Sequence, residues 1–314
     1  MPVHIYLTMT IEKNIKDVIN YLPFSLKSVL QHINKLPDNL QEIHLIAEKP
    51  LMLRTNAKRY FINESFIITE KCSENNITVS KSELEEVFKN ICNYSVYSRQ
   101  QEIINGFITL SGGNRAGICG TAVKKSGVIY NIRDISSINI RIAREVKDCS
   151  IILFENIKSL KSVLICGMPC SGKTTLLRDT ARRLSYDHKV SLIDTRLELA
   201  ACRGGISQFD VGFCDVFSGY DRKDGFEQAL RCMSPDYIIC DEIGADDVAV
   251  ICSAEKSGVK VIASLHCADI NELRSNPTYN RIIKGNVFSK YVFLDSRENA
   301  GQVLKIIDRD KLDD

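Results

Sequence analysis

The sequence predicts an α/β protein in which a core with a mostly parallel sheet follows a smaller α+β domain. Three observations predict it. After about residue 150, apolar strand-like runs alternate with helical segments, the pattern of a parallel sheet. Before that point the strand-like runs are short and separated by glycines, the pattern of a small antiparallel sheet. Third, residues 167–174 read GMPCSGKT, a full match to the phosphate-binding loop G-x-x-x-x-G-K-[ST], directly after the apolar run Val163-Leu164-Ile165-Cys166. A chain of 314 residues is long for one core, so two domains are expected, 1–150 and 151–314.

Ile15, Val18, Ile19 and Leu22 stand at helical spacing before Pro23, and Leu26, Val29, Leu30 and Ile33 repeat the spacing before Pro37. The period then shortens, and Ile43–Ile46, Leu51–Leu53 and Phe66–Ile68 read as strands. Ser80 and Glu83 form a capping box ahead of a helix with apolar Leu84, Val87, Phe88 and Ile91. A further helix is expected around Tyr97–Ile104, ending at Gly106. Residues 107–142 read as an antiparallel sheet carrying Arg115, Arg133, Arg141 and Arg144, for which a solvated sheet face is the plainer alternative. The later strands are expected at Ser162–Cys166, Lys189–Asp194, Asp236–Cys240, Val259–Leu265 and Lys290–Leu294. Helices lie between them, one with Phe226, Ala229, Leu230 and Met233 on a single face.

A net charge of +2, from 41 basic and 39 acidic residues, gives no global drive toward nucleic acid or anionic lipid. The 12 cysteines form no C-x-x-C pair and many lie in apolar runs, which points to reduced thiols in a cytosolic protein rather than zinc or disulfides. The first residues lack the basic flank and apolar core of a signal peptide. No run approaches the ~18 apolar residues of a membrane span.

Chemistry is expected beyond the carboxyl ends of parallel strands. In the phosphate loop, Gly167 and Gly172 let the backbone curl so that N–H groups of Met168, Pro169-Cys170-Ser171, Lys173, Thr174 and Thr175 converge on phosphate, proline itself having no N–H. Lys173 adds an ammonium and Thr174 a hydroxyl for Mg²⁺. Asp241 and Glu242, after the apolar run Tyr237–Cys240, suit a metal-organising acid and a base on the attacking water; a helix cap is the alternative. Asp194 and Glu198 are candidates for further carboxylates near the nucleotide or its water, or for caps of the following helix. His266 is a candidate to sense phosphate or to position water, or a core histidine with its hydrogen bonds satisfied.

Taken together, YSVYSRQQEIINGFITLSGGNRAGICGTAV, INIRIARE, GKTTLLRD, SPDYIICDEIG and KYVFLD resemble the stage III sporulation protein AA family of endospore-forming bacteria. That family is similar to the hexameric secretion and pilus ATPases of type II and type IV systems. The resemblance, which covers nearly the whole chain, implies a RecA-like ATPase that takes ATP and Mg²⁺. It implies assembly as a homo-oligomeric, hexameric ring that meets membrane proteins of a channel between mother cell and forespore. The ring would lie on the cytoplasmic, mother-cell side, peripheral to the membrane. By position it implies Lys173 and Thr174 in the phosphate loop, Asp241 and Glu242 in the acidic strand end, Asp194 and Glu198 in an intermediate acidic box, and His266 in a histidine box. Arg115, Arg133, Arg141 and Arg144 are the candidates for arginines that close the nucleotide site. Three features depart from the pattern: Arg196 stands where a second acid is usual, residues 210–215 lack an arginine, and Cys267 replaces a glycine. They bear on turnover and intersubunit contacts more than on nucleotide binding.

Two other functions stay open: a nucleotide-binding assembly scaffold with little hydrolysis, and a nucleic-acid-stimulated ATPase. Near-neutral charge and the lack of a basic cluster or aromatic platform count against nucleic acid as a partner.

Overall fold

The computed structural model describes residues 14–312 apart from 34, 38–39, 56–57, 158–160 and 296–298. Most of the N-terminal stretch read for a signal peptide, residues 1–13, lies outside the described residues. The chain divides into two units, one ending at Arg144 and the other starting at Glu145.

In the first unit, residues 14–19 are helical and α1 spans Phe24–His32, which buries Leu26, Val29 and Leu30. Besides a two-residue pair, Lys49–Pro50 with Thr78–Val79, the strands are β1 Glu42–Ile46, β2 Met52–Arg54, β3 Arg59–Ile62, β4 Ile68–Thr69, β5 Phe107–Thr109, β6 Arg115–Lys125 and β7 Val128–Arg141. These seven form one antiparallel sheet in the order β4-β3-β2-β1-β7-β6-β5. Helix α2, Lys81–Ile91, starts at the expected capping box, with Ser80 Oγ accepting from Glu83 N–H and the Glu83 carboxylate accepting from Ser80 N–H at 2.8 Å. Helix α3 is Gln100–Ile104, entered through a 3₁₀ turn at Tyr97–Arg99. Alternation along the strands sends Ile43, Leu45, Leu53, Ile138 and Ile140 into one core with the helices.

The second unit holds β8 Val163–Gly167, β9 Val190–Asp194, β10 Asp215–Ser218, β11 Tyr237–Cys240, β12 Lys260–His266, β13 Lys290–Leu294 and β14 Val303–Asp308. Their order is β10-β9-β11-β12-β8-β13-β14, parallel throughout except for β14. The helices are α4 Ile151–Asn156, α5 Lys173–Leu184, α6 Arg222–Gln228, α7 Val248–Lys256, α8 Ile270–Ser275 and α9 Pro277–Lys284. Both faces of the sheet are covered, so β8, β9 and β11 are buried at every position and read as near-continuous apolar runs, broken in β9 by Ser191 and the terminal Asp194. Leu176, Leu177, Ala181 and Leu184 of α5 pack on Val163, Ile165, Leu192 and Ile239. Phe226, Ile251, Ala254, Leu273 and Ile282 cover the other face with Leu164, Cys166, Ile193 and Ile238. Each large apolar side chain buried this way contributes about 1.5–3 kcal/mol.

Three details differ from the sequence reading. Strands β10 and β14 are additional, and both are sheet edges whose outer positions are exposed or half-buried, which weakens their apolar signal. The helix expected to carry Met233 inward passes into a π-turn over Ala229–Met233, which rotates the face and leaves Met233 39% exposed. Of the cysteines, Cys72, Cys119, Cys170 and Cys232 are exposed, so burial describes only part of the set.

Candidate nucleotide site

The parallel register brings the expected residues to one edge of the second sheet. Gly167 lies opposite His266, Ile193 opposite Cys240, and Cys240 opposite Ala263. The phosphate loop, Asp194, Asp241-Glu242 and His266 therefore leave the sheet side by side, at its carboxyl edge.

The loop needs its glycines. A Cβ on Gly167 would stand 2.5 Å from Ser171 Oγ, and one on Gly172 would stand 2.8 Å from Gly301 N and 3.1 Å from Gly301 Cα. Gly172 also has φ +95°, in the left-handed region, and directly precedes Lys173 at the start of α5. Gly301 N–H donates to Ser171 O at 2.8 Å, so the turn before β14 supports the loop from outside. Cys170 is exposed and has φ +66°. Thr174 and Thr175, half-buried, lie in the first turn of α5.

Lys173 is buried, and its Nζ donates to Gly167 O at 2.7 Å and Met168 O at 2.8 Å. Burial lowers its pKa. The same Nζ lies 3.3 Å from His266 Nδ1, and His266 Nε2 lies 2.7 Å from Glu242 Oε1. One tautomer satisfies both contacts: Nδ1 accepts from the ammonium and Nε2–H donates to the carboxylate. Burial, followed by the charges of Lys173 and Arg196, lowers the pKa of His266, which agrees with a neutral ring. Glu242 has φ +43°, its N–H donates to Ser264 Oγ at 2.9 Å, and its Oε2 is paired with the Arg196 guanidinium.

Asp241 is 1% exposed, and neither carboxylate oxygen has a hydrogen-bond partner. Burial and the negative charges of Asp194 and Glu198 push its pKa up to about 6, against the opposing charges of Arg222 and Arg196. A buried carboxylate with two open oxygens is costly alone and suits a divalent cation. The residues present thus fit Mg²⁺, with Asp241 and the Thr174 hydroxyl of the loop helix as the groups that would hold it.

Of the two parts open to Asp194, its hydrogen bonds are those of a cap, made to the backbone that follows it. Its Oδ1 accepts from the N–H groups of Glu198 and Leu199, and its Oδ2 from those of Ala200 and Ala201, at 2.7–3.0 Å. Four amides use its lone pairs, so it acts as a cap for its loop and reaches the site through its charge on Asp241. Glu198 is half-buried, and its charge also bears on Asp241.

Three arginines were not read as site residues. Arg196 was visible only as a departure from a pattern, and it pairs with Glu242. Arg222 donates to Asp241 O at 2.8 Å and to Asp247 Oδ2 at 2.7 Å, with no motif to signal it. Arg178, buried in α5, donates to the carbonyls of Leu199 and Glu198, both at 2.7 Å, and stacks 3.6 Å above Phe209. An arginine amid the buried positions of an amphipathic helix was its available signal. Arg178→Ala is expected to destabilise the protein by about 3 kcal/mol, because two carbonyls lose their donors. An unchanged thermal midpoint would remove this role.

In the first unit, Arg115 and Arg141 are opposed across β6 and β7, and Arg115 lies 3.8 Å over the Phe107 ring. Arg133 is 69% exposed beside Asp134, and half-buried Arg144 points an amino group toward Leu40 O at 3.5 Å.

The chain matches the family described as sporulation stage III, protein AA, over residues 12–312. It belongs to that family. Stage III sporulation protein AA of Bacillus subtilis (strain 168) is 31% identical over 310 residues, covering 94% of this chain and 95% of the relative. Among solved structures, the Legionella pneumophila ATPase DotB superposes with a TM-score of 0.55 at 17% identity, over 87% of this chain and 76% of DotB. The pilus retraction motor PilT with bound ADP gives a TM-score of 0.55 at 14% identity, over 86% of this chain and 76% of PilT. The chain therefore shares the fold of DotB and PilT. Among its described residues no helix is long and apolar enough to cross a membrane.

Proposed function

We propose that this chain is an Mg²⁺-dependent ATPase that powers or organises a secretion-like channel between mother cell and forespore. The observation that carries the reading is the buried Asp241 carboxylate, open at both oxygens, at the same sheet edge as an intact phosphate loop. The family and the fold shared with DotB and PilT support it. In this reading the loop amides and Lys173 bind the phosphates, and Asp241 and Thr174 hold the cation. Glu242 orients water and His266 fixes the Glu242 carboxylate. When bound, Mg²⁺ supplies neutralisation of the charge on the phosphate oxygens. Assembly as a hexameric ring, with the N-terminal unit serving ring contacts and membrane proteins of the channel as partners, belongs to the same proposal, as does a cytoplasmic, mother-cell location.

A nucleotide-binding scaffold with little hydrolysis is the second reading, favoured by the engagement of both Glu242 oxygens. Phosphate release and ATP binding, measured beside light scattering with and without ATP, separate the two. Glu242→Gln is expected to lower kcat about 100-fold while ATP still binds. ATP binding by the wild type with no release above this variant would replace the motor with the scaffold.

A further inference from the structure

Glu242 carries the proposed hydrolysis, yet both its carboxylate oxygens are engaged, one by His266 and one by Arg196. Arg196 stands on a short stretch fixed at each end. Asp194 precedes it with four amides in its grip, and Arg178 holds the carbonyls of Glu198 and Leu199 just beyond. Between them Leu197 has φ +55°, a backbone state that leaves little freedom to a leucine. With the backbone pinned, Arg196 leaves Glu242 only by turning its own side chain, which is 50% exposed. A carboxylate held by two donors, one of them a full cation, is a poor acceptor for a proton from water.

We infer that Arg196 is a brake on Glu242. It is a positioning residue that keeps the carboxylate turned to itself and sets a slow basal turnover. The inference rests on the reading of Glu242 as the water-orienting group. The opposite role, in which Arg196 stabilises the transferring phosphoryl group directly, predicts the opposite sign on mutation.

The test is steady-state phosphate release and ATP binding by the full chain and by Arg196→Ala, Arg196→Lys, Glu242→Gln and the Arg196→Ala/Glu242→Gln double variant. Arg196→Ala is expected to raise kcat about two- to fivefold, the bias that an ion pair this exposed can exert. Its ATP Kd should stay within about twofold of the wild type, since the brake acts on turnover and not on binding. Arg196→Lys should restore slow turnover, and the double variant should be as slow as Glu242→Gln. Added KCl should raise wild-type turnover toward that of Arg196→Ala, because salt screens an exposed pair. Turnover of Arg196→Ala at or below the wild type, with Glu242→Gln inactive, would overturn the brake and leave the ATPase reading standing. Undiminished turnover in Glu242→Gln would overturn the reading of Glu242 as the water-orienting group, and the brake with it. If the wild type releases no phosphate, the brake requires release to emerge in Arg196→Ala, and continued silence there overturns it.

Discussion

Replacing Lys173 by alanine is expected to cut phosphate release at least about a thousandfold and to weaken ATP binding, with the far-UV circular dichroism unchanged. Its ammonium is held at the mouth of the loop by Gly167 O and Met168 O, where the charge of a phosphate chain would draw it across a short distance. The variant also removes the donor that faces His266 Nδ1, and with it the contact that selects the Nε2–H tautomer for Glu242. The fold should tolerate the change. Two carbonyls lose a donor, while the cost of a buried ammonium disappears. Turnover within tenfold of the wild type would mean that this loop is not where hydrolysis occurs.

Asp241→Asn should do two opposite things: stabilise the metal-free protein and abolish Mg²⁺-dependent turnover. The Asp241 pKa is raised by burial from 3.8 to about 6, so the folded state binds the proton more tightly than the unfolded chain does. The ionised carboxylate therefore destabilises the fold progressively as pH rises from about 4 to about 6, by about 3 kcal/mol at neutral pH. In EDTA at pH 7.5 the asparagine variant should melt at the higher temperature, and the gap should close near pH 4. Adding Mg²⁺ should raise the midpoint of the wild type and leave that of the variant in place. A variant no more stable than the wild type in EDTA would show that the carboxylate is already satisfied.

The second unit was legible because its chemistry and its core share a grammar. Strands covered on both faces print mostly apolar runs, and strand ends print the polar residues that emerge beyond them, so Lys173, Asp241, Glu242 and His266 stand out in the sequence itself. Edge strands β10 and β14 were missed because half of each faces outward. The hidden parts of the site are those set by tertiary contact. Nothing in Asp194-Thr195-Arg196 says which of its two parts the acid takes, or that the arginine pairs with Glu242. Arg222 joins the Asp241 carbonyl from a helix 19 residues earlier in the chain, a pairing with no local period.

The Asp194 cap has a consequence for which changes the following loop can accept. The four donors are main-chain N–H groups, so hydrogen bonding there does not depend on the side chains at 198, 199, 200 and 201. Proline is the exception, since each would delete one donor and leave a buried oxygen short of a partner. The cap itself sets no demand on those side chains, which burial of Leu199, Ala200 and Ala201 constrains instead, while it fixes the aspartate, and a carboxylate can be indispensable at a site edge without touching the reaction.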